Sequence, residues 1–381
     1  MTIPDYRITE FPPESAAFRK EIRAFLDDAL KHLPRHERAR SWTGVDLEFT
    51  RKLGQMGWIG STLPKEYGGG GRSSLERYVL VEELLTAGAP VAAHWAADRQ
   101  SGPLILHYGT EKQRQMVLPR ICAGECFVCI GMSEPAAGSD LAAIATTARM
   151  TDKGYVVNGS KIWTSGADRA HYMILLCRTD TKSTSRHAGV SQILVDMSLP
   201  GIKVEPILDI SGRRIFNHVF FEDVVVPADM LIGEEGSGWD QVRSELALER
   251  SGPDRFLSSF VLFMELVKAL STNPTDRARE VVGRLLAHVH VLRQMSVAVA
   301  AMFDEGVDPT LQAVVVKDLG ADFEQDLPEI ARLVVDTLAP EALEEWQQAL
   351  AATQLIAPAY SLRGGTRDIL RGMIAKGLGL R

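Results

Sequence analysis

The stretch IGMSEPAAGSD, residues 130 to 140, marks the point at which the character of this chain changes. It leaves a predicted strand and enters a loop of small residues that carries hydroxyl groups at Ser133 and Ser139. Such a loop presents backbone N–H groups and short side-chain donors to an anionic or carbonyl-rich ligand. A simple Asx-type turn with a proline fits the same residues, so this stretch alone leaves both interpretations open.

The apolar residues before this stretch recur with a helical period. Amphipathic runs at 14–30, 46–58 and 75–88 predict three helices. Residues 110–125 predict a short helix that stops before Pro119, because proline removes a backbone donor. The first part of the chain is therefore predicted to be helical.

From Phe127 the period becomes that of a strand. Residues 146–167 alternate and contain two turn signals, Asp152-Lys153-Gly154 and Asn158-Gly159, which predict an antiparallel meander. The β-rich block continues to residue 232 and predicts a compact barrel or two packed sheets.

The helical period returns after GEEGSGW (233–239), with long runs at 276–303 and 311–339. The order of elements predicts an α+β protein of three domains. These are an N-terminal α-helical domain at 1–125, a β-domain at 126–232 and a helical domain at 233–381.

Composition limits the function classes. The 381 residues suit two or three domains, and 45% hydrophobic with 24% charged residues is ordinary for a soluble globular protein. A net charge of −7 argues against a nucleic-acid surface. The apolar runs fall short of the roughly 18 residues of a spanning helix, and the N-terminus has no signal-peptide pattern. We expect a cytoplasmic protein that binds neither nucleic acid nor a membrane.

Three of the four cysteines, Cys122, Cys126 and Cys129, lie close together in sequence. A zinc site needs a fourth ligand, and none follows at finger-like spacing. Buried free thiols in a reducing compartment are the better interpretation, and no metal site is predicted.

The segment GSKIWTSGA (159–167) places an indole and two hydroxyls at the end of a predicted strand. A planar heteroaromatic cofactor needs an aromatic or apolar face and a donor for its ring nitrogens, which Trp163 and Ser165 would supply. A tryptophan of the core fits this pattern equally.

The segment LALERSGPDRF (246–256) breaks a predicted helix with Ser-Gly-Pro. Proline in a helix interior costs about 3 kcal/mol and clashes with the carbonyl four residues earlier. That residue is Glu249. The break is either a packing feature or a device that aims a working acid.

Together these segments resemble the acyl-CoA dehydrogenase family of flavoproteins, in order and spacing, over nearly the whole chain. SEPAAGSD followed by K-x-W is highly specific for the family. The other segments that carry the resemblance are PKEYGGGG, SGPLILHYGTEKQRQMVLPRICAGE, FFEDVVVPADMLIGEEGSGW and GGTRDILRGMIAKGLGLR.

The resemblance implies an N-terminal helical domain, a middle β-barrel and a C-terminal four-helix bundle, with FAD between the last two and reaching a neighbouring subunit. It implies an acyl-CoA substrate whose α-proton goes to a glutamate and whose β-hydride goes to flavin N5. Electrons would pass to an electron-transfer flavoprotein. A shared FAD site implies a dimer or tetramer, homomeric or heteromeric.

The resemblance also implies the residues that bind FAD. Met132 and Ser133 would meet the flavin ring, Trp163 would pack beside it, and Ser165 replaces a threonine that faces N5. The full set is Met132, Ser133, Gly138, Ser139, Trp163, Ser165, Arg279 and Thr366. The family segment for the adenine end of FAD is missing from 347–360.

The commonest base of the family is a glutamate two residues before the GGT threonine, and Gly364 stands there. Branched-chain and long-chain members instead use a Glu-Arg pair on an earlier helix, where this chain has Glu249 and Arg250. Glycine keeps the N–H that binds the thioester oxygen, so enolate stabilisation survives at Gly364. We expect Glu249 to be the base, with its pKa raised beside an apolar acyl chain, and Arg250 to support it. A structural ion pair on a solvated helix is the alternative.

The segment HWAADRQSGPLI (94–105) aligns with the helix that lines the acyl pocket and contains Trp95, Asp98 and Arg99. A simple fatty-acyl pocket would favour apolar residues. The chain is similar to bacterial members that act on steroid side chains and other branched or cyclic acyl groups. The polar residues fit a salt-bridged helix face as well.

Three functions follow from the resemblance. The favoured one is an FAD-dependent acyl-CoA dehydrogenase with Glu249 as base. The second is a flavin monooxygenase or oxidase of the same fold. The third is a weakly catalytic subunit that completes a partner's FAD site, which Gly364 and the missing adenine segment support.

Overall fold

The structure is a computed structural model that describes residues 4–181, 185–250, 252–271, 274–334 and 343–380. The side chains of Ala247, Leu248 and Leu343 lie outside the description. In chain order, helices come first, strands form the middle of the chain and helices follow, as predicted. The domain boundaries at residues 125 and 232 stay a prediction.

The helices, in chain order, are α1 (Ser15–Ala29), α2 (Arg35–Arg38), α3 (Leu47–Gln55), α4 (Ser74–Ala87), α5 (Ala92–Ala96), α6 (Gly102–Tyr108), α7 (Glu111–Cys122), α8 (Gly238–Arg250), α9 (Phe260–Ser271), α10 (Asp276–Asp304), α11 (Thr310–Leu333), α12 (Leu343–Tyr360) and α13 (Arg367–Gly377). The strands are β1 (Val128–Gly131), β2 (Thr147–Thr151), β3 (Gly154–Ser165), β4 (Tyr172–Arg178), β5 (Val190–Asp196), β6 (Ile202–Leu208), β7 (Arg214–Val226) and β8 (Leu231–Ile232).

Contacts divide the chain into two compact units. The first comprises Met1–Asp46, Arg72–Ala92 and Glu249–Arg381, and the second comprises Leu47–Gly71 and Ala93–Leu248. The first unit is a group of packed helices. Helix α11 packs against α10, α12 and α13, and α4 packs against α1 and α10.

Helix α4 shows how local sequence signals set these helices. Ser73 accepts a hydrogen bond from the Glu76 N–H, and the Glu76 carboxylate accepts one from the Ser73 N–H, which forms a capping box. At the other end, Gly88 takes a left-handed conformation at φ 74°. Both ends of the predicted helix 75–88 are therefore confirmed to within a residue.

Helix α10 is, among the described residues, the one helix long and apolar enough to cross a membrane by length and composition. It packs against α4 and α11 within the first unit, and 44% of its most apolar window is buried. A core helix of a bundle has the same composition, so this is weak evidence for a span.

The second unit is built on an eight-stranded sheet with the order β6-β7-β3-β2-β4-β5-β8, and β1 pairs with β4. The meander of β2 and β3 is confirmed, with Thr151 opposite Gly154 across the predicted turn. The core beneath the sheet contains Tyr155, Leu175 and Phe221. This sheet carries the segments that the resemblance links to the flavin.

Two local predictions are wrong. Helix α7 does not stop before Pro119 but continues to Cys122, because its last turn buries Ile121 and Cys122 against the core. Asn158-Gly159 is not a turn: it lies inside β3, where the register against β7 shifts and Gly159 has φ 141°. An Asn-Gly pair can therefore form a bulge within a long strand.

All four cysteines are buried and free, as predicted. Burial raises the pKa of Cys126 to about 11 and that of Cys122 to about 12. These side chains therefore remain thiols near neutral pH and behave as small core residues.

Candidate active site

Lys161 and Glu134 fix the loop that follows β1. Lys161 is fully buried, and its Nζ donates to the Met132 carbonyl at 2.9 Å and to Glu134 Oε1 at 2.8 Å. The Ile162 N–H donates to the Ser133 carbonyl at 2.9 Å. Strand β3 thus holds both residues that the resemblance assigns to the flavin ring.

The Glu134 carboxylate also binds the far end of this loop. It accepts hydrogen bonds from the N–H groups of Ala145 at 2.6 Å and Thr146 at 3.0 Å. Burial alone would raise the pKa of Glu134, but Lys161 and these donors lower it, whereas burial lowers the pKa of Lys161. The short contact and the backbone donors describe an ionised pair.

Lys161→Met is expected to lower the free energy of unfolding by about 3 kcal/mol, because it leaves a buried carboxylate without its cation. Folding lowers the pKa of Glu134, so the ionised carboxylate stabilises the folded chain at any pH above the pKa that Glu134 has in the unfolded chain. This stabilisation is lost as the pH falls through the lower pKa of the folded chain. Urea unfolding at neutral pH measures the change. The control is Lys112→Met, which removes an exposed pair with Asp229 and should cost less than about 1 kcal/mol. Equal losses in the two variants would contradict a structural role for the buried pair.

Trp163 is not a tryptophan of the core. Its side chain is 58% exposed, its backbone has φ 61°, and its ring meets Phe216 edge-on at 6.1 Å. The register of β3 against β7 shifts between Lys161 and Thr164, which turns the indole outward. Ser165 is also exposed. An exposed indole beside donors fits the face of a planar ring.

The remaining residues that the resemblance assigns to FAD are accessible. Gly138 and Ser139 are exposed in the second unit. In the first unit, Arg279 is 64% exposed and pairs with Asp276 at 2.8 Å, and Thr366 precedes α13 as its N-cap residue. Their role in binding FAD stays a prediction.

The predicted helix break is confirmed. Helix α8 ends at Arg250, Ser251 lies outside the described residues, Gly252 is extended, and Pro253–Arg255 forms a 3-10 turn. In a continuous helix, residue 253 would donate to the Glu249 carbonyl, but proline has no N–H. Arg255 Nε donates to that carbonyl instead, at 2.8 Å.

The Glu249 side chain is buried, with 6% of the residue exposed. Its Oε1 accepts a hydrogen bond at 2.7 Å from Nη2 of Arg255, which is fully buried. Burial disfavours the charge on Arg255, but Asp254 and Glu249 outweigh it and raise its pKa. Glu249 therefore does not lie on a solvated helix face, and its carboxylate forms a buried ion pair with Arg255. Its role as the base stays a prediction.

Arg250 supports a different part of the site. It is buried, which lowers its pKa, and its Nε donates to the Gly364 carbonyl at 2.9 Å. Its Nη1 lies 3.4 Å from Met373 Sδ. Arg250 therefore anchors the segment that precedes α13.

Gly364 lies directly against the Glu249 carboxylate. A Cβ at Gly364 would stand 2.8 Å from Oε2 and 3.1 Å from Oε1, and the backbone has φ 69°. The Gly364 N–H donates to no acceptor within the described part of the chain. A glutamate side chain at position 364 would overlap the Glu249 carboxylate. A glycine at the usual position of the family's acid therefore goes together with a carboxylate supplied by Glu249.

Trp95, Asp98 and Arg99 lie where α5 passes through a π-helical turn, Ala97–Ser101, into α6. All three are buried, so these polar side chains do not form a solvated surface of the helix. Asp98 Oδ1 accepts a hydrogen bond from the Gly60 N–H at 2.6 Å, and the Arg99 guanidinium lies 5.0 Å from the Trp95 ring centre. Their assignment to a substrate pocket stays a prediction.

Sequence patterns alone give no role to Lys161, Glu134 or Arg255. Lys161 stands inside the K-x-W motif, which is the signal that could have marked it. Arg255 gave a weaker signal, a second arginine directly after the helix break.

Family models match most of the chain. They are the N-terminal, middle and C-terminal domains of acyl-CoA dehydrogenase, at residues 12–125, 129–224 and 268–379. Acyl-CoA dehydrogenase IpdE1 of Mycobacterium tuberculosis is 33% identical, over 94% of this chain and 96% of the relative.

Two solved structures share the fold. The Tcur3481-Tcur3483 steroid ACAD has a TM-score of 0.86 and 28% identity, over 98% of this chain and 99% of that chain. The ChsE4-ChsE5 complex from Mycobacterium tuberculosis has a TM-score of 0.83 and 29% identity, with the same coverage. With the buried glutamate beside Gly364 and the fixed Met132–Ser133 loop, these matches show that the chain belongs to the acyl-CoA dehydrogenase family.

Proposed function

We propose that the chain is an FAD-dependent enzyme that introduces an α,β double bond into an acyl-CoA thioester, with Glu249 as the base. The observation that carries this proposal is the Glu249 carboxylate, buried and held against Gly364. A positioned carboxylate that removes a proton contributes about 10²–10⁴-fold to the rate. Family membership supports the reaction class.

The residues present fit FAD. The exposed Trp163 offers a face for the flavin ring, and Met132 and Ser133 lie on a loop that a buried ion pair fixes. When bound, FAD accepts the hydride that leaves the β-carbon. The exposed Ser139 would lie near its phosphates or the thioester, and the exposed Arg279 would contact the diphosphate of an FAD bound to an adjacent subunit.

The proton and the thioester oxygen are handled by residues of the first unit. Glu249 takes the α-proton, and the Gly364 N–H donates to the thioester oxygen, where negative charge develops. This N–H comes from a backbone that Arg250 anchors through the carbonyl of the same residue. Abstraction and charge stabilisation would therefore use two residues that lie in contact, Glu249 at the end of α8 and Gly364 before α13.

The substrate class we propose is a CoA thioester with a branched, cyclic or steroid side-chain acyl group. The name of the Tcur3481-Tcur3483 steroid ACAD supports this class, as do the polar residues Asp98 and Arg99 within the π-helical turn. We propose an electron-transfer flavoprotein as electron acceptor. The ChsE4-ChsE5 complex contains two named components, which favours a heteromeric assembly.

A second candidate is a subunit that completes the FAD site of a partner and catalyses weakly. The missing adenine segment in 347–360 favours it. The retained Glu249, Trp163 and Ser165 favour an active enzyme. A monooxygenase or oxidase of the same fold would differ in its use of oxygen.

The visible spectrum of the purified chain distinguishes these candidates. We expect bound flavin that bleaches anaerobically when octanoyl-CoA, isovaleryl-CoA or a cholesterol side-chain CoA thioester is added, fastest with the bulky acyl groups. A colourless protein would favour the subunit that needs a partner. Rapid reoxidation by air with a hydroxylated product would favour the monooxygenase.

A further inference from the structure

Arg255 holds Glu249 at two points. Nη2 donates to Oε1 of the carboxylate at 2.7 Å, and Nε donates to the backbone oxygen at 2.8 Å. A glutamate side chain has several rotatable bonds, and a contact at both its ends restricts them together. The carboxylate is therefore held in one orientation.

Arg255 is itself fixed by its surroundings. It ends the 3-10 turn that starts at Pro253, and a Cβ at Gly320 on α11 would overlap its carbonyl oxygen. The carbonyl of Asp254 accepts from the Ser258 hydroxyl and from Arg363 Nη2, each at 2.7 Å. The turn is packed so closely that the guanidinium has little freedom to follow a moving carboxylate.

We propose that Arg255 is the positioning residue of the base: it binds Oε1 of Glu249 and thereby holds the carboxylate in its orientation against Gly364. This inference rests on the proposed role of Glu249. A misplacement of about 1 Å in a catalytic group can cost about 10²-fold in rate.

Other charged groups face this pair. Arg255 interacts with Asp254, Glu324 and Lys317, and Glu249 interacts with Arg250 and Lys317. Removing the Arg255 charge makes protonation of the neighbouring carboxylate easier, so a higher pH is needed to ionise it. The acid limb of the pH profile of kcat should therefore move to higher pH.

The test compares Arg255→Lys and Arg255→Gln with the flavin-loaded wild type. Lysine keeps the charge but lacks the fork that binds two oxygens, so we expect a roughly tenfold slower anaerobic bleaching, and about 10²-fold for glutamine, with KM unchanged. The thioester is the one that bleaches the wild type fastest. The control is Arg293→Lys, which alters a two-point pair with Glu82 and should leave bleaching unchanged.

A double variant separates positioning from folding. Glu249→Gln/Arg255→Gln should be no slower than Glu249→Gln alone, because Arg255 acts through Glu249. If Arg255→Gln alone does not fold, this comparison and the Arg255→Lys variant still test whether Arg255 positions Glu249. Further slowing in the double variant, or wild-type bleaching and an unmoved pH profile in Arg255→Lys, would overturn the proposal.

Infrared difference spectra give a measurement that needs no turnover. Subtracting the Glu249→Gln spectrum isolates the carboxylate, and its protonation should occur at higher pH in Arg255→Gln than in the wild type. If no thioester bleaches the wild type, the proposed function fails, while this titration still tests the contact. A titration that Arg255→Gln does not move would reject the role of Arg255.

Discussion

Glu249→Gln is expected to lower kcat by about 10²–10⁴-fold, because an amide cannot accept the α-proton. The amide oxygen can still accept the hydrogen bond of Arg255 Nη2, so the fold and KM should change little. Steady-state turnover with an artificial electron acceptor measures both constants.

The control for this prediction is a second buried glutamate of the first unit. Glu83 is 5% exposed and pairs with Arg19 and Arg23. Glu83→Gln should lower stability and leave kcat unchanged. If both variants lost stability and activity in parallel, the loss in Glu249→Gln would reflect folding and the base would lie elsewhere.

Gly364→Ala is expected to lower kcat by about 10²-fold, although it adds one methyl group and removes no functional group. The new Cβ would stand 2.8 Å from Oε2 and 3.1 Å from Oε1 of Glu249, so the carboxylate must move. The backbone at φ 69° adds about 1–2 kcal/mol of strain for any residue with a Cβ. Single-turnover kinetics and thermal unfolding separate the two effects.

Gly372→Ala is the matched control. Gly372 lies on α13, and a Cβ there would meet no heavy atom within 4 Å. Alanine should stabilise the helix by about 1 kcal/mol and leave kcat unchanged. A Gly364→Ala variant with normal kcat would show that the position of the Glu249 carboxylate does not matter for the reaction.

The order of helices and strands could be predicted because it depends on local periodicity. Helix α4 carries a capping box and a C-terminal glycine, and both signals act within a few residues. The turn predicted at Asn158-Gly159 was wrong because strand pairing decides the conformation there: the two residues lie inside β3, opposite β7. The helix end predicted before Pro119 was wrong because packing of the last turn of α7 outweighs the backbone hydrogen bond that the proline removes.

The candidate base could also be predicted, since Gly364 and the helix break point to Glu249. Its environment could not. The partner is Arg255, six residues later, and the turn at Pro253 brings it back to the carbonyl that the proline leaves without a donor. A contact between residues on the two sides of a helix break leaves no periodic pattern in the sequence from which it could be predicted.

The most direct test of the account is a single-turnover experiment on the flavin-loaded protein. An acyl-CoA thioester is mixed anaerobically with the wild type and with Glu249→Gln, and the flavin absorbance is followed. The account predicts rapid bleaching in the wild type and bleaching slower by about 10²–10⁴-fold in the variant. Bleaching of Glu249→Gln at the wild-type rate would contradict the assignment of Glu249 as the base.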